Sequence, residues 1–382
     1  MTQMDADKKK GKRNLRPSPL SAAPSALEQL TRQLAALEPL TEEQVGLAIA
    51  QLIEESVPTT IKADFLTHLA RKGETADEIA AFARQLRIRA IQPTLEADLR
   101  AAEILDVVGT GGDRLGTFNI STAAALVASA AGVRVAKHGN RASTSRVGSA
   151  DVIEALGIPY DLDPEQAVRS LQRHGFAFFF APKYHPAFRY IIPARKLCAE
   201  RGQGTIFNFL GPLLNPARPS AMLVGVSRPE LCNPLARVLQ TLGVRRAMVV
   251  CGSAPESATH PPASTVPPPQ FLDELSTLGE STIAEFHQDL GFSVSVLSPT
   301  HFPLQPATLA DLRGGDLDTN VNIIRRLLKG EERGPKRDAV LLNAAAALFV
   351  AGRVRSLAAG WDLAAAVIES GQAFDKLNEL TG

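Results

Sequence analysis

Two short polar stretches, each directly after an apolar run, carry the residues best suited to hold an anion. Gly109-Thr110-Gly111-Gly112-Asp113 follows Ile104 to Val108, and Lys137-His138-Gly139-Asn140-Arg141 follows Val133 to Ala136. Glycine lets a backbone come close to a ligand, and a helix N-terminus offers free N–H groups and the positive end of a dipole. Asn119, Ser121 and Thr122 stand where an Ala-rich helix begins, as short polar side chains that can cap such groups. Lys137, Arg141 and Arg146 add fixed positive charge. The combination suits phosphate. The first loop is no Walker loop, because no Gly-Lys-Ser/Thr follows it. Nor is it a dinucleotide fingerprint, because Arg114 stands where the third glycine of G-x-G-x-x-G belongs. Taken alone it suits a plain turn as well as a phosphate cradle. The second loop, at the end of a neighbouring parallel strand, tips the reading to phosphate.

Other candidates are weaker one by one. Asp273-Glu274 could share one hard cation such as magnesium, which one or two carboxylates hold together with substrate phosphates; a solvated helix start accounts for the pair more readily. His185, in a Pro-flanked loop, could line a pocket but packs as easily. Arg195, in a helix-like stretch, could pair with a substrate carboxylate, although alone it reads as a surface residue. No Ser/His/Asp arrangement and no His/Cys cluster with metal-ligand spacing stands out. The chemistry suggested is phosphate positioning and charge neutralisation, without a covalent intermediate.

These residues need a scaffold, and the chain is long enough to build one. It has 382 residues, 45% of them hydrophobic and 21% charged, with a formal net charge of +1. That fits a globular protein whose overall field recruits neither nucleic acid nor a membrane surface. Cys198, Cys232 and Cys251 are odd in number and widely spaced, which argues against a disulfide framework and makes a reducing cytoplasm the default. Residues 1–24 read as a disordered basic tail; its six Lys and Arg, without aromatics, make a weak case for nucleic acid. From 25 to 97 the apolar residues recur at helical spacing (Leu27, Leu30, Leu34 and Leu37 first), with Gly73 placed to end one helix and Thr75 to cap the next. This predicts a small all-helical unit. Residues 98–382 alternate strand and helix signals: a helix at Ala150 to Leu156, another at Pro164 to His174, strands at Phe176 to Phe180, Met222 to Val226 and Ala247 to Val250, and closing helices at Ala339 to Ala351 and Leu363 to Leu380. The expected fold is α/β, a small helical N-terminal domain plus a larger one with a mainly parallel sheet flanked by helices. The Pro-rich stretch 253–270 reads as an insert between elements.

Taken together the motifs resemble the anthranilate phosphoribosyltransferase family. The resemblance runs from about residue 30 to the C-terminus. It rests on Lys72-Gly73-Glu74-Thr75, the loop Gly109 to Asp113, Asn119 to Thr122, Lys137 to Arg141, Phe180-Ala181-Pro182 with His185-Pro186, Thr205 to Pro216, and Leu272-Asp273-Glu274. It implies transfer of a phosphoribosyl group from phosphoribosyl pyrophosphate to the amine of anthranilate, in tryptophan biosynthesis, with Mg2+. Around phosphoribosyl pyrophosphate the family pattern places Gly109, Gly112, Asp113 and Thr117, then Asn119, Ile120, Ser121 and Thr122. The second loop would add Lys137, His138, Gly139, Asn140, Arg141, Ala142, Ser143, Thr144 and Ser145, with Ser149 beyond. Gly109, Asn140 and Arg195 match anthranilate contacts, with His138, Pro182 and Tyr184 near the acceptor; Ser121, Asp273 and Glu274 match the magnesium positions. The family is a homodimer joined through its helical domain, here 25–97 with a return near 190–210. Relative to the family pattern, the Pro-rich insert precedes Asp273, and Phe271 replaces a glycine.

Two other functions fit parts of the pattern. A pyrimidine nucleoside phosphorylase of the same fold would cleave thymidine or uridine with phosphate, but Asn-x-Ser-Thr and Lys-His-Gly-Asn-Arg argue against it. A non-catalytic relative would bind nucleic acid or a partner through the basic tail; the retained carboxylates argue against it, and salt-sensitive DNA binding lost on removing residues 1–24 would support it.

Overall fold

The computed structural model describes residues 25–142, 146–255 and 270–382. The basic tail, Ser143, Thr144, Ser145 and residues 256–269 of the insert lie outside these.

Four helices come first: α1 (Ala26–Ala35), α2 (Glu42–Leu52), α3 (Thr59–Lys72) and α4 (Ala76–Ile88). Reciprocal capping boxes start α1 (Ser25 with Glu28), α2 (Thr41 with Gln44) and α4 (Thr75 with Glu78), each satisfying N–H groups the helix leaves free. Gly73 closes α3. Leu27, Leu30 and Leu34 bury one face of α1, but Leu37, expected in the same stripe, lies past the helix end with φ 65° and is 69% exposed. Its N–H closes a turn onto the Leu34 carbonyl at 3.0 Å as the chain swings toward Pro39. Ile191, Ala194, Cys198, Ile206 and Phe207, from much later in the chain, pack into the core of these helices.

A short α5 (Ala97–Ala101) leads into the alternating part: β1 (Ile104–Gly109), α6 (Ile120–Ala130), β2 (Arg134–Gly139), α7 (Ser149–Leu156), α8 (Pro164–His174), β3 (Phe176–Phe180), α9 (Ala181–Tyr184), α10 (Ile192–Glu200), β4 (Ala221–Gly225), α11 (Cys232–Thr241) and β5 (Arg246–Ser253). Then come β6 (Phe271–Leu272), β7 (Ser281–His287), β8 (Gly291–Leu297), α12 (Leu317–Leu328), α13 (Pro335–Val350), α14 (Leu357–Glu369) and α15 (Gln372–Thr381). The sheet order is β3-β2-β1-β4-β5-β7-β8, with β6 beside β5. Strands β1 to β5 pair in parallel and β6, β7 and β8 antiparallel, so the sheet is mainly parallel and flanked by helices, as expected. The β7–β8 hairpin has no counterpart in the sequence reading. The stretch read as one helix from Leu363 to Leu380 is two, broken at Ser370-Gly371. Helices α6 and α13 are apolar nearly all round because they lie between the sheet and outer helices.

The chain runs from β1 outward to β2 and β3, then returns to lay β4 on the other side of β1. The C-terminal ends of β1 and β4 thus flank a topological switch point, where open α/β sheets form their ligand crevice.

Candidate active site

At that switch point Gly109 of β1 pairs with Gly225 of β4, and Asp273 is wedged against both. The segment bearing Asp273 arrives through β6, which pairs Leu272 with Gly252 and Phe271 with Ser253 of β5. The Ala254 N–H adds a bond to the Gln270 carbonyl at 2.9 Å. Both described ends of the Pro-rich insert are therefore tied to the sheet beside Asp273. No helix starts at Asp273-Glu274, so the pair is not the solvated helix start that its sequence favours.

Both carboxylates lie deep in the crevice. Asp273 accepts the Gly111 N–H at 2.7 Å, and Glu274 accepts the Ser121 N–H at 3.1 Å, at the mouth of α6. Burial, with the negative charge of Asp113 beside it, holds Asp273 above the usual carboxylate range; burial and the Asp273 charge raise Glu274 well above its own. Asp113 is raised by burial and shares a hydrogen bond with Asp273. Lys137 lies behind this group rather than in the open cleft. It is 2% exposed, and its ammonium donates to the Val107 carbonyl at 2.6 Å. Burial lowers its pKa, and Asp106, Glu274 and Asp273 oppose that shift. Among the described residues no three His, Cys, Asp or Glu side chains converge into a metal cage. The carboxylate pair nonetheless fits a hard divalent cation that takes its remaining ligands from substrate oxygens.

The first loop curls through left-handed residues, Gly111 at φ 71°, Gly112 at 88° and Arg114 at 59°. Arg114 adopts the conformation without glycine's freedom, at a cost on the order of 1 kcal/mol. The second loop is braced by Asp151, whose carboxylate accepts N–H groups of Ala142 (3.1 Å) and Gly148 (2.9 Å) and pairs with Arg141 at 2.8 Å. Arg141 also pairs with Glu154 and lies over the Tyr160 ring, so part of its charge is already compensated.

A cavity of about 550 Å³ opens between the loops and the helical unit, reaching from Gly109 and Gly139 to Arg195 and Phe207. One wall is a row of rings. His138 meets His185 edge-on at 5.5 Å between centroids, His185 stacks on Phe188 at 5.1 Å, and Phe188 meets Phe207 at 5.7 Å. Arg195 lies over Phe207 at 5.6 Å, and burial depresses its pKa; among the described residues no carboxylate offsets it. The far end is an aromatic slot closed by an uncompensated guanidinium.

Residues 25–90 match the helical bundle domain of a glycosyl transferase family and residues 101–374 its a/b domain. An anthranilate phosphoribosyltransferase of Lacticaseibacillus casei is 42% identical over 354 residues, 93% of this chain and 96% of that protein. The one from Rubrobacter xylanophilus is 42% identical over 352 residues, 92% of this chain and 95% of that protein. The crystal structure of anthranilate phosphoribosyltransferase from Thermus thermophilus superposes with a TM-score of 0.79 at 40% identity, covering 92% of this chain and 98% of that one. The Saccharomyces cerevisiae enzyme in complex with PRPP and Mg gives 0.78 at 26% identity, covering 93% and 96%. The chain belongs to the anthranilate phosphoribosyltransferase family.

Of the residues the family pattern singles out, the fold gathers Gly109, Gly112, His138, Gly139, Asn140, Arg141 and Arg195 on one cavity, with Asp113, Ser121, Asp273 and Glu274 at its root. Asn119 stands at the N-cap of α6 without bonding its N–H groups; its amide spans Val147 and Asn320 instead. Thr122 is buried with its hydroxyl unpartnered, Ile120 is core, and Thr117 bridges to Arg313. Ser149 reaches back to the Asn140 carbonyl at 3.4 Å. Two acceptor-side residues do not fit their expected place. Tyr184 is fully buried in a separate core beside Phe179, its hydroxyl donating to the Leu162 carbonyl, and Pro182 is exposed; Ala181 lines the cavity in their stead. Sequence reasoning missed Phe188 and Phe207, whose apolar character reads as core, and Asp106 and Asn215, whose partners lie far away in sequence.

His185 is 3% exposed, donates to the Leu214 carbonyl at 3.0 Å, and burial depresses its pKa to about 4. It stays neutral in the folded chain while an unfolded imidazole takes a proton below its ordinary value near 6.5. Stability is therefore lost as pH falls from about 6.5 toward 4, by about 3 kcal/mol from this group. In His185→Phe the stability gap to wild type should move by most of that amount, about 2.4 kcal/mol, in the variant's favour between pH 7 and pH 4.5, read by urea unfolding. A gap independent of pH would contradict the neutral assignment.

Proposed function

We infer that this chain transfers the phosphoribosyl group of phosphoribosyl pyrophosphate to the amine of anthranilate, releasing pyrophosphate. The observation that carries the reading is the pairing, in one cleft, of an anion-binding loop and carboxylate root with an aromatic slot closed by Arg195. Anthranilate is a flat aromatic carboxylate, and a guanidinium over a ring suits it at both ends.

The neutral arylamine needs no strong base. The demanding event is breaking the bond from ribose C1 to pyrophosphate as positive charge develops on the sugar. The Gly112 N–H, at the left-handed turn of the first loop, is placed for a phosphate oxygen, and the positive end of α6 lies beside it. Asp273 and Glu274, with Ser121, are the residues that would hold magnesium, which neutralises charge on the departing oxygens. His138 is kept neutral by burial, its pKa lowered to about 3, and its Nε2 is buried without a partner, so it can hold the anthranilate amine by a hydrogen bond. Asn140, at the loop tip, borders the same cavity.

The division into a helical domain, 25–97 with 190–210, and an α/β domain, 98–382, belongs to this reading, as do a homodimer and a cytoplasmic place of action. Exposed Leu47, Ile88 and Ile192 on the helical unit support the dimer surface; no described helix is long and apolar enough to cross a membrane.

The test is consumption of anthranilate, followed by its fluorescence, with phosphoribosyl pyrophosphate and Mg2+ present and each omitted in turn. Thymidine phosphorolysis in place of anthranilate consumption would overturn the reading. Arg195→Met should raise KM for anthranilate roughly ten- to hundredfold, the loss of one charge-assisted contact, and leave KM for phosphoribosyl pyrophosphate within about twofold.

A further inference from the structure

Strands β1 and β2 share only two register pairs, Ile104 with Arg134 and Leu105 with Val135, although both run on to glycines at the cleft. By contrast β1 stays paired with β4 as far as Gly109 and Gly225, and β2 with β3 as far as Gly139 and Phe180. The backbone ladder between β1 and β2 therefore stops short of the cleft, a split in the hydrogen bonding while the strands stay side by side. Buried backbone groups inside a split must find other partners.

Three side chains supply them. Asp106, 0% exposed, accepts the His138 N–H at 3.2 Å through one oxygen and the Asn215 amide at 2.8 Å through the other. Asn215, also 0% exposed, donates to the Ala136 carbonyl at 2.7 Å, and its own oxygen accepts the Ala217 N–H at 2.9 Å. Lys137 crosses the split to the Val107 carbonyl. Asn215 has no freedom to flip, because both ends of its amide are committed. Asp106 and Asn215 thus clamp the backbone on either side of Lys137, at Ala136 and His138.

We propose that Asp106 and Asn215 are positioning residues for phosphoribosyl transfer, holding Lys137 beneath Asp273 and Glu274 so that its charge is shared and the carboxylate pair remains available to a divalent cation. The inference rests on the transferase reading for its reaction and on the split sheet for its geometry. Asp106 is the strongest of the negative charges acting on the Lys137 ammonium, ahead of Glu274 and Asp273. Without it, the ammonium falls to the two cleft carboxylates and competes with the cation. That competition weakens the metal.

The test is Asp106→Asn, nearly isosteric but with an NH2 group facing the NH2 of Asn215. Mn2+ binding is read by electron paramagnetic resonance, with and without phosphoribosyl pyrophosphate, beside steady-state kinetics. The Mn2+ Kd should rise about tenfold, equivalent to about 1.4 kcal/mol, with KM for anthranilate within twofold and the rate partly restored by excess Mg2+. In a Lys137→Met background the same substitution should shift the Mn2+ Kd less than twofold. Asn215→Ser keeps the charge and loosens its aim, so a shift of about threefold is expected there, which covers the case that Asp106→Asn does not fold. Wild-type Mn2+ affinity in the folded variants, or an undiminished shift with Lys137 gone, would overturn the proposal. A wild-type protein that binds Mn2+ as described but leaves anthranilate unconsumed would sink the transferase reading alone.

Discussion

Gly225→Ala is expected to lower kcat at least a hundredfold and to lower the melting temperature as well. A Cβ at Gly225 would lie 1.5 Å from the Asp273 carbonyl oxygen and 2.4 Å from its carbon. The obstacle is backbone, so no rotamer relieves it. Retreat is hindered on the far side, where the segment also packs tightly on Gly252 of β5: a Cβ there would meet the Glu274 carbonyl oxygen at 2.6 Å and the Ser276 Cβ at 2.5 Å. Overpacking of this kind costs typically 1–3 kcal/mol, and a displacement of about 1 Å at a reacting centre is enough for a hundredfold loss. Gly109→Ala provides the contrast. Its Cβ would lie 2.2 Å from the Asp273 Oδ2, a side-chain atom that can rotate away. Activity should fall there too, because the carboxylate leaves its position, while the melting temperature moves much less. Thermal unfolding and steady-state kinetics on both variants check this. Wild-type kinetics in Gly225→Ala would mean that Asp273 has no part in the reaction.

The two phosphate-side loops were legible because each is a local signal, an apolar strand that breaks into glycine or basic residues before a helix. Parallel pairing then brings them to one edge without further information. The acidic pair was not legible in the same way. Asp273-Glu274 looks solvated because nothing within several residues buries it; the burial comes from Gly109 and Gly225, on two other strands. Lys137 reads as a cleft cation for a similar reason, and only Asp106 and Val107 on the adjacent strand draw it behind the sheet. Tyr184 shows the opposite error. The family resemblance puts it near the acceptor, whereas its ring packs on Phe179 at 5.3 Å. Leu363 to Leu380 keeps an apolar stripe across Gly371, so the break between α14 and α15 is invisible to periodicity. Local chemistry was readable along the chain, while depth was set by contacts between distant segments.

Depth also decides what happens on neutralising the root of the cleft. Asp273→Asn should lower kcat/KM a hundred- to thousandfold, the range found when one preorganised electrostatic contact to developing charge is removed. The amide oxygen can still accept the Gly111 N–H, so the loop keeps its shape and the loss is one of charge. Stability should move the other way. Burial and Asp113 hold the Asp273 carboxyl above its usual range, so the charged form is penalised in the folded protein relative to the unfolded chain. That penalty is present at neutral and higher pH and is relieved as pH falls through the raised folded value toward the ordinary one. A neutral amide removes it. At pH 7.5 the melting temperature of Asp273→Asn should equal or exceed that of wild type, with the difference shrinking toward pH 5. Melting curves at both pH values and kinetics at pH 7.5 are the measurements. A variant that melts lower yet turns over normally would place Asp273 in the scaffold instead of the reaction. One that melts higher and turns over slowly would show stability given up at this position to keep a carboxylate where the chemistry needs it.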